Sequence, residues 1–155
     1  MTQAVAVATK RPVVSVEDLY VSFVMRDATV AAVNGVSFEL AAGQVLGILG
    51  ESGSGKSVTL RALMRLLPPA RTRIKGRICV AGHEITAMDE DALRRVRGSK
   101  VAMIFQEPMI ALDPVFTIGV QIAETIVRHE GISYAAANRR ALELLEMVQI
   151  PSAAR

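Results

Sequence analysis

The stretch GESGSGKS, residues 50–57, decides which fold this sequence adopts. It follows the apolar run VLGIL at residues 45–49 and precedes a stretch with helical spacing. Its glycines allow several backbone N–H groups to point into one concave nest, and the following helix adds the positive end of its dipole. The spacing Gly-x4-Gly-Lys-Ser, placed between a strand and a helix, therefore predicts a loop that binds the phosphates of a nucleotide.

Two side chains of this loop carry specific chemistry. Lys56 places a point charge at the β- and γ-phosphates, and the Ser57 hydroxyl is placed to ligate Mg²⁺. A flexible Gly-Ser hairpin between unrelated elements is the alternative, and the strand-to-helix context disfavours it. The motif does not indicate what the nucleotide drives. The predicted nucleotide-binding residues of the loop are Gly50, Glu51, Ser52, Gly53, Ser54, Gly55, Lys56, Ser57 and Val58.

Composition favours one globular domain. The 155 residues are 51% hydrophobic and 21% charged, which is enough apolar material for a buried core. Cys79 is the single cysteine, so no intramolecular disulfide forms and a reducing compartment is favoured. No apolar run approaches the ~18 residues of a membrane span, so any membrane role is expected to be peripheral. The basic runs ARTRIKGR and RRVRGSK lack interleaved aromatic residues, so we expect no nucleic-acid partner.

The first two thirds of the chain alternate between strand and helix patterns. Strands are predicted within residues 13–25, 30–40 and 44–50, with turns at Asn34-Gly35 and Ala42-Gly43. Further strands are predicted within residues 76–82 and 100–106, with a short charged helix at 89–97 between them. A helix is predicted from Lys56 until Pro68-Pro69, and its apolar positions are Val58, Leu60, Leu63, Leu66 and Leu67.

The last third is predicted to be helical. Residues 117–129 place Ile118, Ile122 and Ile126 on one face, and Gly131 ends that helix. Ser133 then caps a second helix, which runs toward Pro151. Its predicted apolar positions are Ala141, Leu144, Leu145 and Val148.

A phosphate loop usually works with an acidic residue that ends a second apolar strand and holds the Mg²⁺. In VAMIFQE, the first residue after the strand is the neutral Gln106, and Glu107 is followed at once by Pro108. Asp113, in IALDP, lacks a preceding apolar run. We conclude that this acid is not in the chain.

Residues 32–68, AVNGVSFELAAGQVLGILGESGSGKSVTLRALMRLLP, are followed by VAMIFQEPMIALDP at residues 101–114. Together they closely resemble the ATP-binding subunits of ABC transporters, and within them the oligopeptide and dipeptide importer branch. The resemblance begins at about Val13. It implies ATP and Mg²⁺ as cofactors and an α/β fold: a P-loop NTPase core with an N-terminal antiparallel β layer and the start of a helical subdomain, truncated.

The resemblance also assigns residues. Residues 50–57 form the Walker A loop, and Gln106 is the glutamine of the Q-loop, whose amide reaches the metal and the attacking water. It thus implies Lys56 and Gln106 as catalytic residues, and Ser57 and Gln106 as Mg²⁺ ligands. Phe23 occupies the position of an aromatic ring that stacks on adenine. Phe23 or Tyr20 equally fits core or edge packing.

The sequence departs from the family after this point. It has no loop resembling Leu-Ser-Gly-Gly-Gln, no Walker B strand ending in Asp-Glu and no switch histidine, and His83 and His129 fit a turn and a helix end. The chain is expected to be a fragment or a natural truncated product without ATPase turnover of its own. The predicted segments are a disordered tail at 1–12, a nucleotide-binding core at 13–105, a Q-loop segment at 106–116 and the start of the helical subdomain at 117–155.

The function implied by the resemblance is the ATP-binding component of an ABC-type importer, with peptide uptake coupled to ATP binding and hydrolysis in the complete protein. The implied partners are transmembrane permease subunits and a second ATP-binding subunit that completes a dimer. The implied location is peripheral, at the cytoplasmic face of the inner (plasma) membrane. Two alternatives remain open: a nucleotide-binding or regulatory module without hydrolysis, and a DNA-handling ATPase of the same superfamily. A GTPase is disfavoured because no Asn-Lys-x-Asp motif is present.

Overall fold

The computed structural model describes residues 12–106 and 111–151. The chain divides into two compact units, Met1–Val101 and Ala102–Arg155. The predicted disordered tail lies outside the described residues except for Pro12, and Glu107 is also outside them. Across the described ranges, no helix combines the length and apolar character needed to cross a membrane.

The first unit is built on a four-stranded antiparallel sheet. Strand β1 (Val14–Val24) lies between β2 (Thr29–Leu40) and β3 (Thr72–Val80), and the short β4 (His83–Glu84) extends the sheet beside β3. This arrangement agrees with the predicted β layer. The core on one face of the sheet is made of Val16, Leu19, Val21, Val33, Ala62, Leu67, Ile78, Val80, Ile85, Leu93 and Val96.

The middle of β1 is bulged, and a glycine on β3 accommodates the bulge. Between the pairs Glu17 with Arg77 and Tyr20 with Lys75, two residues of β1 oppose Gly76 alone. A Cβ on Gly76, which has φ of 97°, would lie 2.2 Å from the Asp18 carbonyl oxygen. The turn predicted at Asn34-Gly35 is wrong for a related reason. Gly35 has a positive φ of 70°, but it only shifts the register between β1 and β2. Strand β2 therefore continues through Gly35 without a turn.

Helix α1 (Lys56–Leu63) follows the phosphate loop and ends four residues earlier than predicted. Arg65 adopts a left-handed conformation with φ of 49°. Its N–H donates to the Ala62 carbonyl (3.0 Å), and the Leu66 N–H donates to the Arg61 carbonyl (2.9 Å). These are the two hydrogen bonds of a Schellman motif, so the backbone itself ends the helix before Pro68.

The predicted apolar face of α1 is partly wrong. Leu60 and Leu66 are 43% and 39% exposed, whereas Ala62 is fully buried. Because the helix turns left-handed at Arg65, Leu66 no longer follows the helical spacing on which the prediction rested. A 3-10 turn (Pro69–Arg71) then leads into β3.

Helix α2 (Glu90–Val96) lies within the predicted range. The Asp89 carboxylate accepts a hydrogen bond from the Ala92 N–H at 2.7 Å, which caps its N-terminus. Leu93 and Val96 are the residues that α2 contributes to the core.

The predicted strands at residues 44–50 and 100–106 do not form in the described structure. Val45 and Leu49 in the first segment are 98% and 96% exposed, and Ile104 in the second is 93% exposed. A strand requires hydrogen-bonding neighbours. Among the described residues, the sheet supplies none to either segment, and an isolated bridge joins Arg97 to Val101.

The second unit contains two packed helices, as predicted. Helix α3 (Ile118–Glu130) is capped by the Thr117 side chain and ends at Gly131, which has φ of 67°. Helix α4 (Tyr134–Met147) is capped by the Ser133 side chain. Because α4 ends at Met147, Val148 is 66% exposed and does not join the predicted apolar face. The core between these helices is Ala123, Ile126, Ala137 and Ala141.

The basic run ARTRIKGR begins in the 3-10 turn and continues into β3, and part of its charge is paired. Arg77 forms a hydrogen-bonded ion pair with Glu84 at 3.0 Å and lies 3.7 Å from the Glu17 carboxylate. The hydrogen bond to Glu84 raises the pKa of Arg77 above its usual value. All three side chains are exposed, so the pairs are screened by water.

Candidate nucleotide-binding site

The phosphate loop ends where its backbone rests on β2. Gly55 is the N-cap residue of α1 and has φ of 90°. A Cβ on Gly55 would lie 2.3 Å from the Ala32 carbonyl oxygen. Only glycine fits this contact and this conformation without a shift of the backbone. The loop is therefore fixed against the sheet at the point where the helix begins.

The N-terminus of α1 presents donors that the helix itself cannot use. The N–H groups of Lys56, Ser57 and Val58 precede the first intrahelical hydrogen bond, in which the Thr59 N–H donates to the Gly55 carbonyl at 2.8 Å. Gly55 provides no side-chain cap. Uncapped N–H groups at the positive end of a helix dipole form a site suited to an anion such as a phosphate.

The Lys56 side chain reaches back across the loop. Its ammonium donates to the carbonyl oxygens of Gly50 at 2.7 Å and Glu51 at 2.6 Å, and to the Ser54 hydroxyl at 3.4 Å. The Ser54 N–H also donates to the Glu51 carbonyl at 3.2 Å. These contacts hold a positive charge over the loop beside the start of α1.

The other predicted loop residues differ in exposure. Ser57 is exposed, so its hydroxyl is accessible to a metal ion. Val58 is half-buried and packs against the core of the sheet. Glu51, Ser52 and Gly53 are exposed at the tip of the loop.

Thr59 is a site residue that the sequence analysis missed. It is 5% exposed, and its hydroxyl donates to the Gly55 carbonyl at 3.0 Å. The same carbonyl accepts the Thr59 N–H, so the last peptide of the loop is held twice. Threonine four residues after the N-cap commonly bonds back to that carbonyl, and this spacing was a usable signal.

A cavity of about 420 Å³ opens beside the loop. Its walls come from β2, from the apolar segment before the loop, and from the first turn of α1. The lining residues are Val36, Ser37, Phe38, Leu46, Gly47, Ile48, Leu49, Gly50, Ser54, Lys56 and Thr59.

The structure brings the predicted loop residues together, whereas Phe23 does not line the cavity beside the loop. Phe23 is half-buried, packs against the core of the sheet and lines a different cavity together with Pro68 and Arg71. Its stacking on adenine stays a prediction. Gln106 is exposed and belongs to the second unit, and its metal-binding and catalytic roles also stay predictions.

A solved ATP-binding cassette has a structure similar to that of this chain. The chain superimposes on the dimeric structure of MJ0796, a bacterial ABC transporter cassette, with a TM-score of 0.76 over 90% of this chain and 58% of that chain, at 23% identity. A post-hydrolysis state of the same cassette bound to ADP and Pi gives a TM-score of 0.73. The predicted α/β P-loop core fold is thereby confirmed.

Curated relatives are transport ATP-binding proteins. The dipeptide transport ATP-binding protein DppD of Bacillus subtilis (strain 168) is 44% identical over 90% of this chain and 42% of its own length. The oligopeptide transport ATP-binding protein OppD of the same organism is 46% identical over 88% of this chain and 38% of its own length. The chain thus spans about two fifths of the length of these relatives. They confirm the predicted resemblance to the oligopeptide and dipeptide branch.

The family model for the ABC transporter family matches residues 33–155, which include the phosphate loop, α1 and both helices of the second unit. The chain therefore belongs to the ABC transporter family.

Proposed function

We propose that this chain is the ATP-binding component of an ABC-type importer, and that the complete protein couples ATP binding and hydrolysis to peptide uptake. The observation that carries the proposal is the uncapped start of α1, where Gly55 rests on β2 and the Lys56 ammonium lies over the loop. The peptide assignment is supported by relatives named for dipeptide and oligopeptide transport.

The donor set at the loop fits a nucleotide with several phosphates. The first-turn N–H groups and the Lys56 ammonium supply converging positive charge, and a Cβ at Gly53 would meet no atom within 4 Å, so the loop tip is open to a ligand. The exposed Ser57 hydroxyl and the Gln106 amide would hold Mg²⁺. When bound, Mg²⁺ neutralises charge that develops on the phosphates.

The partners follow from the same proposal. Transmembrane permease subunits would carry the solute, and a second ATP-binding subunit would complete a dimer. The protein would then associate peripherally with the cytoplasmic face of the plasma membrane. The dimeric state of the MJ0796 cassette supports the second subunit. No observation among the described residues favours a DNA-handling ATPase.

The experiment that tests nucleotide binding compares two cations of α1. Lys56 lies over the loop, whereas Arg61 is exposed one turn further along the helix. In the full-length protein, Lys56→Ala should weaken Mg-ATP binding by about tenfold or more, because a charged hydrogen-bond donor to the phosphates is lost. Arg61→Ala should change the Kd less than about twofold. Equal losses in calorimetry would overturn the loop assignment.

A second experiment tests the role of Gln106. In the assembled transporter, Gln106→Ala should lower transport-coupled hydrolysis while the ATP affinity stays within about a few-fold, because the phosphate nest is untouched. Hydrolysis and Kd are measured on the same preparation. Loss of ATP binding in a folded Gln106→Ala protein would show that Gln106 is a principal binding residue, and the coupling role would be abandoned.

A further inference from the structure

The C-terminal end of α1 is held by the side chain of Arg97, which follows α2 in the sequence. Arg97 donates from Nε to the Met64 carbonyl at 2.8 Å and from Nη2 to the Arg65 carbonyl at 2.9 Å. These carbonyls stand at the end of α1, where the helix offers no backbone donors. The Arg97 side chain is 22% exposed. The contact is therefore partly shielded from water and worth more than a surface ion pair.

The third nitrogen of the Arg97 guanidinium also has a hydrogen-bond acceptor. Arg97 Nη1 donates to the Glu90 carboxylate at 2.8 Å. All three nitrogens of one planar group thus have an acceptor, two on the end of α1 and one at the start of α2. A lysine ammonium, which is a point charge on a flexible stem, cannot reproduce this fork.

Arg65 adds a second connection at the same place. Its Nη1 donates to the Met88 carbonyl and, at 3.4 Å, to the Ile85 carbonyl. The residue itself has φ of 49°, a conformation that non-glycine residues adopt at a cost. The contacts of Arg65 and Arg97 hold the backbone in this conformation.

Apolar packing contributes little on one side of this junction. A cavity of about 650 Å³ lies beside it, and its lining includes Arg97, Glu90, Leu66 and Thr72. An element that borders open space is not fixed there by close packing. The position of this end of α1 therefore depends on the polar contacts of the two arginines as well as on the packing of Leu63 against the core.

We propose that Arg97 is a positioning residue for the phosphate loop. Helix α1 has 8 residues, so it spans about 12 Å and moves as one rigid piece. Gly55 rests on β2 at one end, and Arg97 fixes the other end. The two contacts together set the direction in which the first-turn N–H groups point. Without the Arg97 side chain, α1 can tilt about Gly55, and its first-turn N–H groups no longer point toward the phosphates.

This inference rests on the proposed function, because it concerns how the loop binds Mg-ATP. The test measures the Kd for Mg-ATP by calorimetry on the full-length protein, together with the thermal midpoint of unfolding. The variants are Arg97→Ala, Arg97→Lys and the matched control Arg94→Ala. Arg94 lies in the last turn of α2, is exposed and contacts Asp91 at 3.5 Å, so its loss removes the same charge three residues before Arg97.

We expect Arg97→Ala to raise the Kd by about tenfold, since small displacements of positioned groups have effects of this order or larger. Arg97→Lys, which retains one charged donor, should raise it by less, and Arg94→Ala should leave it within about twofold. A reversibly unfolded fraction would also raise the apparent Kd, so all variants are compared at a temperature well below their thermal midpoints of unfolding.

An unchanged Kd in Arg97→Ala with a lowered thermal midpoint would overturn the inference, because Arg97 would then be purely structural. If Arg97→Ala fails to fold, Arg97→Lys decides: a raised Kd supports the positioning role and an unchanged Kd overturns it. A parent protein that binds no Mg-ATP would overturn the proposed function itself. The two failures are therefore distinguishable.

Discussion

The antiparallel sheet and the segment before the phosphate loop have similar apolar sequences and opposite structures. In β1, Leu19 and Val21 are completely buried, and each neighbouring strand supplies backbone partners. In residues 44–50, Val45 and Leu49 are almost fully exposed, and no strand forms. An apolar run thus becomes a strand only where other parts of the chain provide hydrogen-bonding neighbours.

The phosphate loop differs from both regions because its contacts are short in sequence. Lys56 binds carbonyls five and six residues away, and Thr59 binds the Gly55 carbonyl. A longer contact, between Gly55 and Ala32, fixes the loop on the sheet. The loop therefore keeps a defined geometry even though the apolar segment that leads into it is unpaired.

The largest expected effect tests the contrast between the two apolar regions in the 155-residue chain. Leu19→Ala should lower the free energy of unfolding by about 3 kcal/mol, because it leaves a cavity in the core. Leu49→Ala should change it by less than about 0.5 kcal/mol, because the side chain is exposed. Urea unfolding at low protein concentration measures both. Similar losses in the two variants would show that Leu49 is packed and that the contrast is wrong.

A smaller difference in stability is expected between alanine variants of two loop glycines. Gly55 and Gly53 have φ of 90° and 83°, but only Gly55 would clash with the sheet through an added Cβ. Gly53→Ala should destabilise the chain by about 1 kcal/mol, which is the cost of the left-handed conformation for alanine. Gly55→Ala should cost at least about 2 kcal/mol, because the backbone must also shift.

Unfolding curves of the two glycine variants, recorded without nucleotide, provide the comparison. Equal destabilisation would mean that the loop does not rest on β2 at Gly55. The loop would then be held only by contacts between residues close in sequence, and the proposed contact with the sheet would have to be abandoned.

The sequence predicted the elements whose signals are local. The phosphate loop, the caps at Ser133 and Gly131 and the order of the first strands follow from short motifs and alternation. The strand at 44–50 was predicted wrongly because periodicity reports apolar character and says nothing about partners. The end of α1 was missed because a left-handed arginine has no sequence signal comparable to glycine.

Within the candidate site, the sequence predicted the residues of the loop and missed the contacts that hold it. Thr59 and Arg97 act through carbonyl groups, and carbonyl positions are set by the fold rather than by a motif. The pairing of Arg97 with Glu90 joins residues 7 apart, yet its other contacts reach 32 and 33 residues back along the chain. Local sequence patterns do not predict contacts between residues so far apart in the chain.

The hydroxyl of Thr59 gives a third, still smaller effect. Thr59→Val keeps the shape of the side chain and removes the hydrogen bond to the Gly55 carbonyl. It should lower the free energy of unfolding by about 1 kcal/mol, because the carbonyl still accepts the Thr59 N–H. Thr59→Ser retains the hydroxyl and removes the methyl group, so it measures the contribution of the methyl group separately. An unchanged stability in Thr59→Val would show that the backbone contact alone holds the loop.

The smallest expected difference concerns catalysis by these 155 residues. The proposed phosphate binding needs only the contacts of the loop, but hydrolysis also needs an acid that holds Mg²⁺ and a base that orients water. No Walker B strand or signature loop occurs in this sequence. We therefore expect no ATP turnover above that of a Lys56→Ala control, measured as phosphate release from the purified chain with its mass verified. Reproducible turnover that Lys56→Ala abolishes would contradict this expectation and would assign the acid's role to Glu107 or another residue of the chain.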